Sequence, residues 1–200
     1  MSTIVVVRKN GAVALAADTL WKDGPTMLRA GLFVKRSKIL RVGEALLASA
    51  GSAAWGQVLA RYFARLKQPP DLSGVDAIFE AVRRMHPVLK RRYGLNPDDG
   101  DRDEFESSRL CLLVASRHGA FAVSPERGVL EVVKFSAFGA GYQYALGAMH
   151  EAYRSSERPE DIARAGVEAA AEFDEDTGLP LEVARVELSD RESPPNQTLV

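Results

Sequence analysis

Ser2 stands directly behind Met1, a position from which methionine is generally trimmed because the next side chain is small. Removal leaves one residue carrying both a hydroxyl and a free α-amino group. An α-amine has an unperturbed pKa of about 7.7–8.0, so near neutral pH it can accept the hydroxyl proton. A hydroxyl beside its own base is a complete nucleophile unit and needs no histidine. A serine after methionine is also what an ordinary expressed terminus looks like, so this residue alone leaves both readings open.

The other reactive residue types form no unit of their own. His86, His118 and His150 are isolated, with no serine and acid at recognisable motif spacing, so a Ser-His-Asp triad has no support. Cys111, the sole cysteine, lies in an apolar strand pattern and reads as a small core residue. A lone cysteine excludes an intrachain disulfide framework and suits a reducing compartment. No paired Cys or His spacing suggests zinc, and Gly139-Ala140-Gly141 is too short for a dinucleotide fingerprint. Arg83-Arg84 and Lys90-Arg91-Arg92 make a basic helix face, which the acidic stretch Asn96 to Glu106 offsets. With a formal net charge of −1, neither nucleic acid nor an anionic membrane is an expected partner.

The elements that must position Ser2 begin at once. Ile4-Val5-Val6-Val7 is a β-branched run and Ala12 to Ala17 a second apolar segment, with Asn10-Gly11 as the tight-turn signal between them. Chain ends ordinarily fray, so a terminus feeding straight into a buried strand is itself a feature. Lys38 to Ala50 reads as another hairpin with Gly43-Glu44 near its turn. Helical spacing follows in Trp55, Val58, Leu59, Tyr62, Phe63 and Leu66, and again in Val75, Ile78, Phe79, Val82 and Leu89. Pro69-Pro70 separates the two helices, and Pro87 is expected to bend the second. Asn96 to Glu106 reads as a solvated loop. A hairpin around His118-Gly119 joins Leu110–Ala115 to Ala120–Val123, and a strand spans Leu130 to Phe135.

Two further helical patterns run through Ala145, Ala148, Met149 and Ala152, and through Ile162, Ala169, Ala170 and Phe173. Leu181 to Leu188 is a last strand, and residues 189–200 read as a polar, flexible tail on a single domain spanning 1–200. Strands and helices in segregated runs, with 46% apolar content, predict an α+β fold with helices outside packed sheets. No apolar run approaches the ~18 residues of a membrane span. With no signal peptide visible, a cytoplasmic protein is expected.

Several short motifs, taken in order, add a resemblance. Ser2-Thr3-Ile4-Val5, the Asn10-Gly11 turn and Ala16-Ala17-Asp18 resemble the opening of proteasome β subunits and of the bacterial heat-shock ring protease, which begin Thr-Thr-Ile-Val and place an Asp at the end of the second strand. Lys38-Ile39, Ala50-Gly51-Ser52-Ala53-Ala54, Phe138-Gly139-Ala140-Gly141 and Asp174-Glu175-Asp176-Thr177-Gly178 are similar to further motifs of that superfamily. The matches run from residue 2 to about 180, and the short form most resembles the small bacterial proteasome homologue. The resemblance implies a four-layer αββα sandwich, the N-terminal-nucleophile hydrolase fold.

The resemblance also implies roles. Ser2 is the nucleophile. Lys38, as an ammonium, lowers the pKa of the Ser2 amine by like-charge repulsion, and Asp18 keeps Lys38 charged and oriented. The Gly51 amide serves the oxyanion, while Asp174 and Thr177 fix the terminal amine. Trp21, Arg36, Ser49 and Ala53 line the substrate pocket, where Arg36 would favour acidic or small polar side chains and reject basic ones. The pattern departs from the family in having serine for threonine, Ala140 where the family carries a serine hydroxyl, and a few extra residues around Trp21 to Leu32.

The expectation is a peptidase acting on peptides or unfolded protein through an acyl-enzyme, with no metal or organic cofactor. It would form a homo-oligomeric ring, hexameric or heptameric and stacked, with an unfoldase as a further partner. A catalytically silent ring used as a scaffold or binding chamber, and a small-amide amidohydrolase, are the alternatives.

Overall fold

The computed structural model describes residues 2–34, 37–96 and 104–189. The β-branched opening forms β1 (Thr3–Lys9), which turns at Asn10–Gly11, both at positive φ, into β2 (Ala12–Asp18). The pair is antiparallel in the register Ile4↔Ala17 to Lys9↔Ala12. Ile4, Val6, Val13, Leu15 and Ala17 face one apolar cluster, while Val5, Val7, Ala14 and Ala16 face another. Covering on both faces explains why these segments read as continuous apolar runs instead of alternating ones. Fully burying side chains such as Ile4 and Leu15 contributes about 1.5–3 kcal/mol each.

A short hairpin follows, β3 (Trp21–Asp23) with β4 (Thr26–Leu28), which the sequence pattern did not suggest. It leads through a 3-10 turn (Ala30–Leu32) toward β5 (Ile39–Val42) and β6 (Ala45–Ala50), the hairpin expected around Gly43-Glu44. Helix α1 (Trp55–Phe63) and helix α2 (Val75–Tyr93) then cover this sheet, and α2 continues through Pro87. Most of the acidic loop expected over 96–106 lies outside the described residues. β7 (Cys111–Ser116) and β8 (Gly119–Val123) pair with Arg117-His118 between them, so Gly119 already belongs to the strand.

The expected strand Leu130–Phe135 is corrected by the structure. It divides into β9 (Val129–Val132), paired with β8, and β10 (Phe135–Gly139), paired with β1 in the other sheet. The chain changes sheets at Val133-Lys134. Helices α3 (Tyr142–Ser155) and α4 (Pro159–Phe173) and strand β11 (Leu181–Glu187) complete the order. The sheets are β10-β1-β2-β11 and β5-β6-β7-β8-β9. Three apolar clusters separate four layers. One holds α1 and α2 on the five-stranded sheet, one fills the space between the sheets, and one holds α3 and α4 on the four-stranded sheet. The fold is the expected αββα sandwich. The tail from residue 190 onward lies outside the described residues, and no helix among the described residues is long and apolar enough to cross a membrane.

Candidate active site

Ser2 sits immediately before β1, 8% exposed, at a cleft of about 550 Å³ that it lines with Leu20, Lys38, Gly51 and Arg109 among others. Its carbonyl accepts the Ala140 amide at 3.0 Å. Gly139 makes this possible: at φ 109°, a Cβ on it would lie 1.6 Å from the Ser2 carbonyl oxygen. The glycine that closes β10 is therefore needed to admit Ser2.

Asp18, at the end of β2, is fully buried. Its Oδ1 accepts from Lys38 Nζ at 2.8 Å and from the Thr3 amide at 3.0 Å, and its Oδ2 from the amides of Leu20 at 3.0 Å and Gly178 at 3.3 Å. Four donors on a dry carboxylate offset the cost of burying its charge. Lys38 donates a second bond to the Leu20 carbonyl at 2.8 Å. An ammonium has three donors, so one remains for a group in the cleft that Lys38 lines. Burial pushes the Lys38 pKa below its ordinary 10.5, while Asp18 and then Glu182 pull it back up.

Asp174, the C-terminal cap of α4, accepts from the Thr177 hydroxyl at 2.5 Å. That hydroxyl lies 2.6 Å from the hydroxyl of Thr3, which accepts the Gly141 amide at 3.0 Å. Among the described hydrogen bonds, the pair expected at the Ser2 amine reaches the next residue, Thr3, and orders the strand that carries Ser2. Thr3 escaped the sequence reading, although strand alternation puts it on the face of Val5 and Val7, toward α3 and α4.

Gly51, at φ 129°, closes the site from the opposite sheet; a Cβ there would lie 3.1 Å from the Trp55 ring and 3.2 Å from the Arg109 carbonyl. Trp21, Ser49 and Ala53 line the cleft, whereas Arg36 lies outside the described residues. The insertion contributes Lys22, which the sequence reading missed; it lines the cleft and pairs with Asp176 at 2.7 Å. A second cavity, of about 1100 Å³, continues from the first past Trp21, Lys38, Ser49 and Ala53.

Neither Cys111 nor any of the three histidines is among the residues lining the cleft at Ser2. Cys111 packs on the inter-sheet cluster, and burial raises its thiol pKa, the opposite of an activated thiolate. His86 Nε2 pairs with Glu106 at 2.8 Å. No group of three or more His, Cys, Asp or Glu is placed to hold a metal among the described residues.

The four-layer sandwich, with the start of its first strand brought beside a buried lysine–aspartate pair, is the architecture of an N-terminal-nucleophile hydrolase. No family model matches the sequence. The chain is 44% identical to Thiobacillus denitrificans BPH, with a TM-score of 0.90 over 94% of this chain and 100% of that one. The structure of that protein in complex with epoxomicin gives a TM-score of 0.88 at the same identity, over 94% and 99% of the two chains. The ATP-dependent protease subunit HslV of Caulobacter sp. (strain K31) is 28% identical over 180 residues, 86% of this chain and 87% of that protein. HslV from Trypanosoma brucei shares the fold at 19% identity and a TM-score of 0.62, over 92% and 99% of the chains. The chain belongs to the HslV-like, proteasome β-type family of N-terminal-nucleophile proteases.

Proposed function

We propose that removal of Met1 frees the Ser2 amine, and that this serine is the nucleophile of an endopeptidase. The amine takes the hydroxyl proton, Oγ attacks the scissile carbonyl, and the Gly51 amide meets the oxyanion. The amine then returns the proton to the leaving amine and activates water to hydrolyse the acyl-enzyme. Lys38 keeps the amine in its free-base form by like-charge repulsion, and Asp18 keeps Lys38 protonated and aimed. The observation that carries this reading is the shared Asp18 carboxylate, which ties Lys38 to Thr3, the residue next to Ser2. The Asp174–Thr177–Thr3 network favours an active site over a silent chamber, because it supports that strand without the hydroxyl missing at Ala140.

The charged residues among those lining the cleft are the cations Lys22, Lys38 and Arg109. Lys22 and Lys38 already pair with Asp176 and Asp18, so the preference we propose, acidic or small polar side chains accepted and basic ones rejected, rests on the resemblance. Exposed Leu32, Val34, Phe105, Leu130 and Phe173 support burial of further surface in a homo-oligomer, for which we propose the ring of the family, in the cytoplasm and served by an unfoldase. The test is a fluorogenic peptide panel on wild type and Ser2→Ala, with assembly followed by analytical ultracentrifugation. The expected result is Ser2-dependent cleavage after acidic or small polar residues by a ring-sized species. Cleavage after Lys or Arg, or turnover that survives Ser2→Ala, would contradict the reading.

A further inference from the structure

Alternation along β11 places Ala184, Val186 and Leu188 against the inter-sheet cluster, and Glu182 on that same face at the strand end. An acid among apolar neighbours needs donors, and three converge on it from Ser37–Ile39, where the chain enters β5. The Ser37 hydroxyl donates at 2.6 Å, the Ile39 amide at 3.1 Å, and the Lys38 amide also donates. Among the described residues β5 is the edge strand of its sheet, so no neighbouring strand there supplies acceptors to amides on its outer side. Glu182 supplies them.

The register gives this contact a meaning for the site. β11 pairs with β2 so that Leu181 lies opposite Asp18 and Glu182 opposite Ala17. Two carboxylates on adjacent strands therefore hold one lysine at its two ends. Glu182 holds the main chain of Lys38, and Asp18 holds its ammonium at 2.8 Å. We infer that Glu182 is a positioning residue for the reaction, fixing the backbone of Ser37–Ile39 so that the Lys38 ammonium is delivered to Asp18 and to the cleft beside Ser2. It lines the second cavity and not the cleft at Ser2, so it acts on the reaction through Lys38. A lysine side chain is long and rotamer-rich, so anchoring its ammonium alone leaves its position in the cleft free to wander with the loop that carries it. Displacements of about 1 Å in such a site cost on the order of a hundredfold in rate.

The inference rests on the proposed roles of Ser2 and Lys38, and the experiment separates the two. Peptide hydrolysis is measured for wild type, Ser2→Ala, Glu182→Gln, Glu182→Asp and Glu182→Ala, each checked by circular dichroism. Glutamine keeps the reach: its carbonyl can accept from the amides while its NH₂ donates to Ser37. Aspartate keeps the charge but is one methylene too short. The expected result is that Glu182→Gln stays within about threefold of wild type, while Glu182→Asp and Glu182→Ala lose on the order of tenfold or more in kcat with KM little changed. Should Glu182→Ala fail to fold, the Gln–Asp comparison decides.

An active Asp variant with an inactive Gln variant would overturn the inference in favour of a charge effect. A loss confined to KM would overturn it in favour of a pocket wall. Wild-type kinetics in all variants would overturn it outright. Absence of Ser2-dependent turnover in wild type would count against the functional reading and remove the inference with it, whereas normal turnover indifferent to Glu182 counts against Glu182 alone.

Discussion

Lys38 Nζ lies 2.8 Å from Asp18 Oδ1, and that same oxygen receives the Thr3 amide at 3.0 Å. One carboxylate thus fixes both the cation and the strand that follows Ser2, so displacement of either is felt by the other.

Removing that carboxylate should therefore harm stability and activity together. Asp18→Ala leaves Lys38, whose side chain is 11% exposed, without its counter-charge, and strips an acceptor from three amides. Breaking a buried pair in this way costs about 3–5 kcal/mol. Urea unfolding should show a large drop in midpoint; a midpoint within error of wild type would contradict the assignment.

Lys38→Met should behave asymmetrically. Asp18 keeps its three amide donors, so folding suffers less than in Asp18→Ala, while peptide hydrolysis is abolished. Parallel unfolding and kinetic assays check this. Near-normal turnover in Lys38→Met would refute its role.

The pH profile should be bell-shaped. Its acidic limb marks the Ser2 amine gaining a proton and ceasing to be a base. Its alkaline limb marks Lys38 losing its proton, and because burial lowers the Lys38 pKa this limb should fall below 10.5. The same shift has a sign in stability. The folded state releases this proton first, so between the lowered pKa and 10.5 the unfolded state binds more protons, and Lys38 makes stability rise with pH. A kcat/KM that stays level through pH 10.5 would contradict the alkaline assignment.

Gly51→Ala should cost about 1–3 kcal/mol, since φ is 129° and the new methyl meets the Trp55 ring and a backbone oxygen. Activity should fall further than stability explains, because the oxyanion donor moves. Thermal denaturation beside single-turnover acylation measures both; wild-type acylation in a destabilised variant would remove Gly51 from the oxyanion role.

What the sequence revealed depended on range. Asn10-Gly11 between apolar runs is a local signal and forms the expected hairpin, and the α1 and α2 periodicities are local too. Leu130 to Phe135 read as one strand because alternation cannot say which sheet a residue joins, and the crossing at Val133-Lys134 leaves no local mark. Asp18, Lys38 and Gly51 were legible through their ordered motifs. Glu182 was not: its partners lie more than a hundred positions away, and in β11 it reads as one more surface charge. Lys22 was hidden for the same reason, since only the folded hairpin brings it to Asp176.

In the proposed mechanism Ser2, once freed of Met1, is the reacting residue. Intact-protein mass spectrometry after treatment with a peptide epoxyketone tests it most directly, with peptide mapping of the adduct. The expected result is a chain lacking Met1, a single added mass located on Ser2, and no addition to Ser2→Ala. Retention of Met1 in most molecules, or an adduct that maps elsewhere and persists in Ser2→Ala, would contradict it.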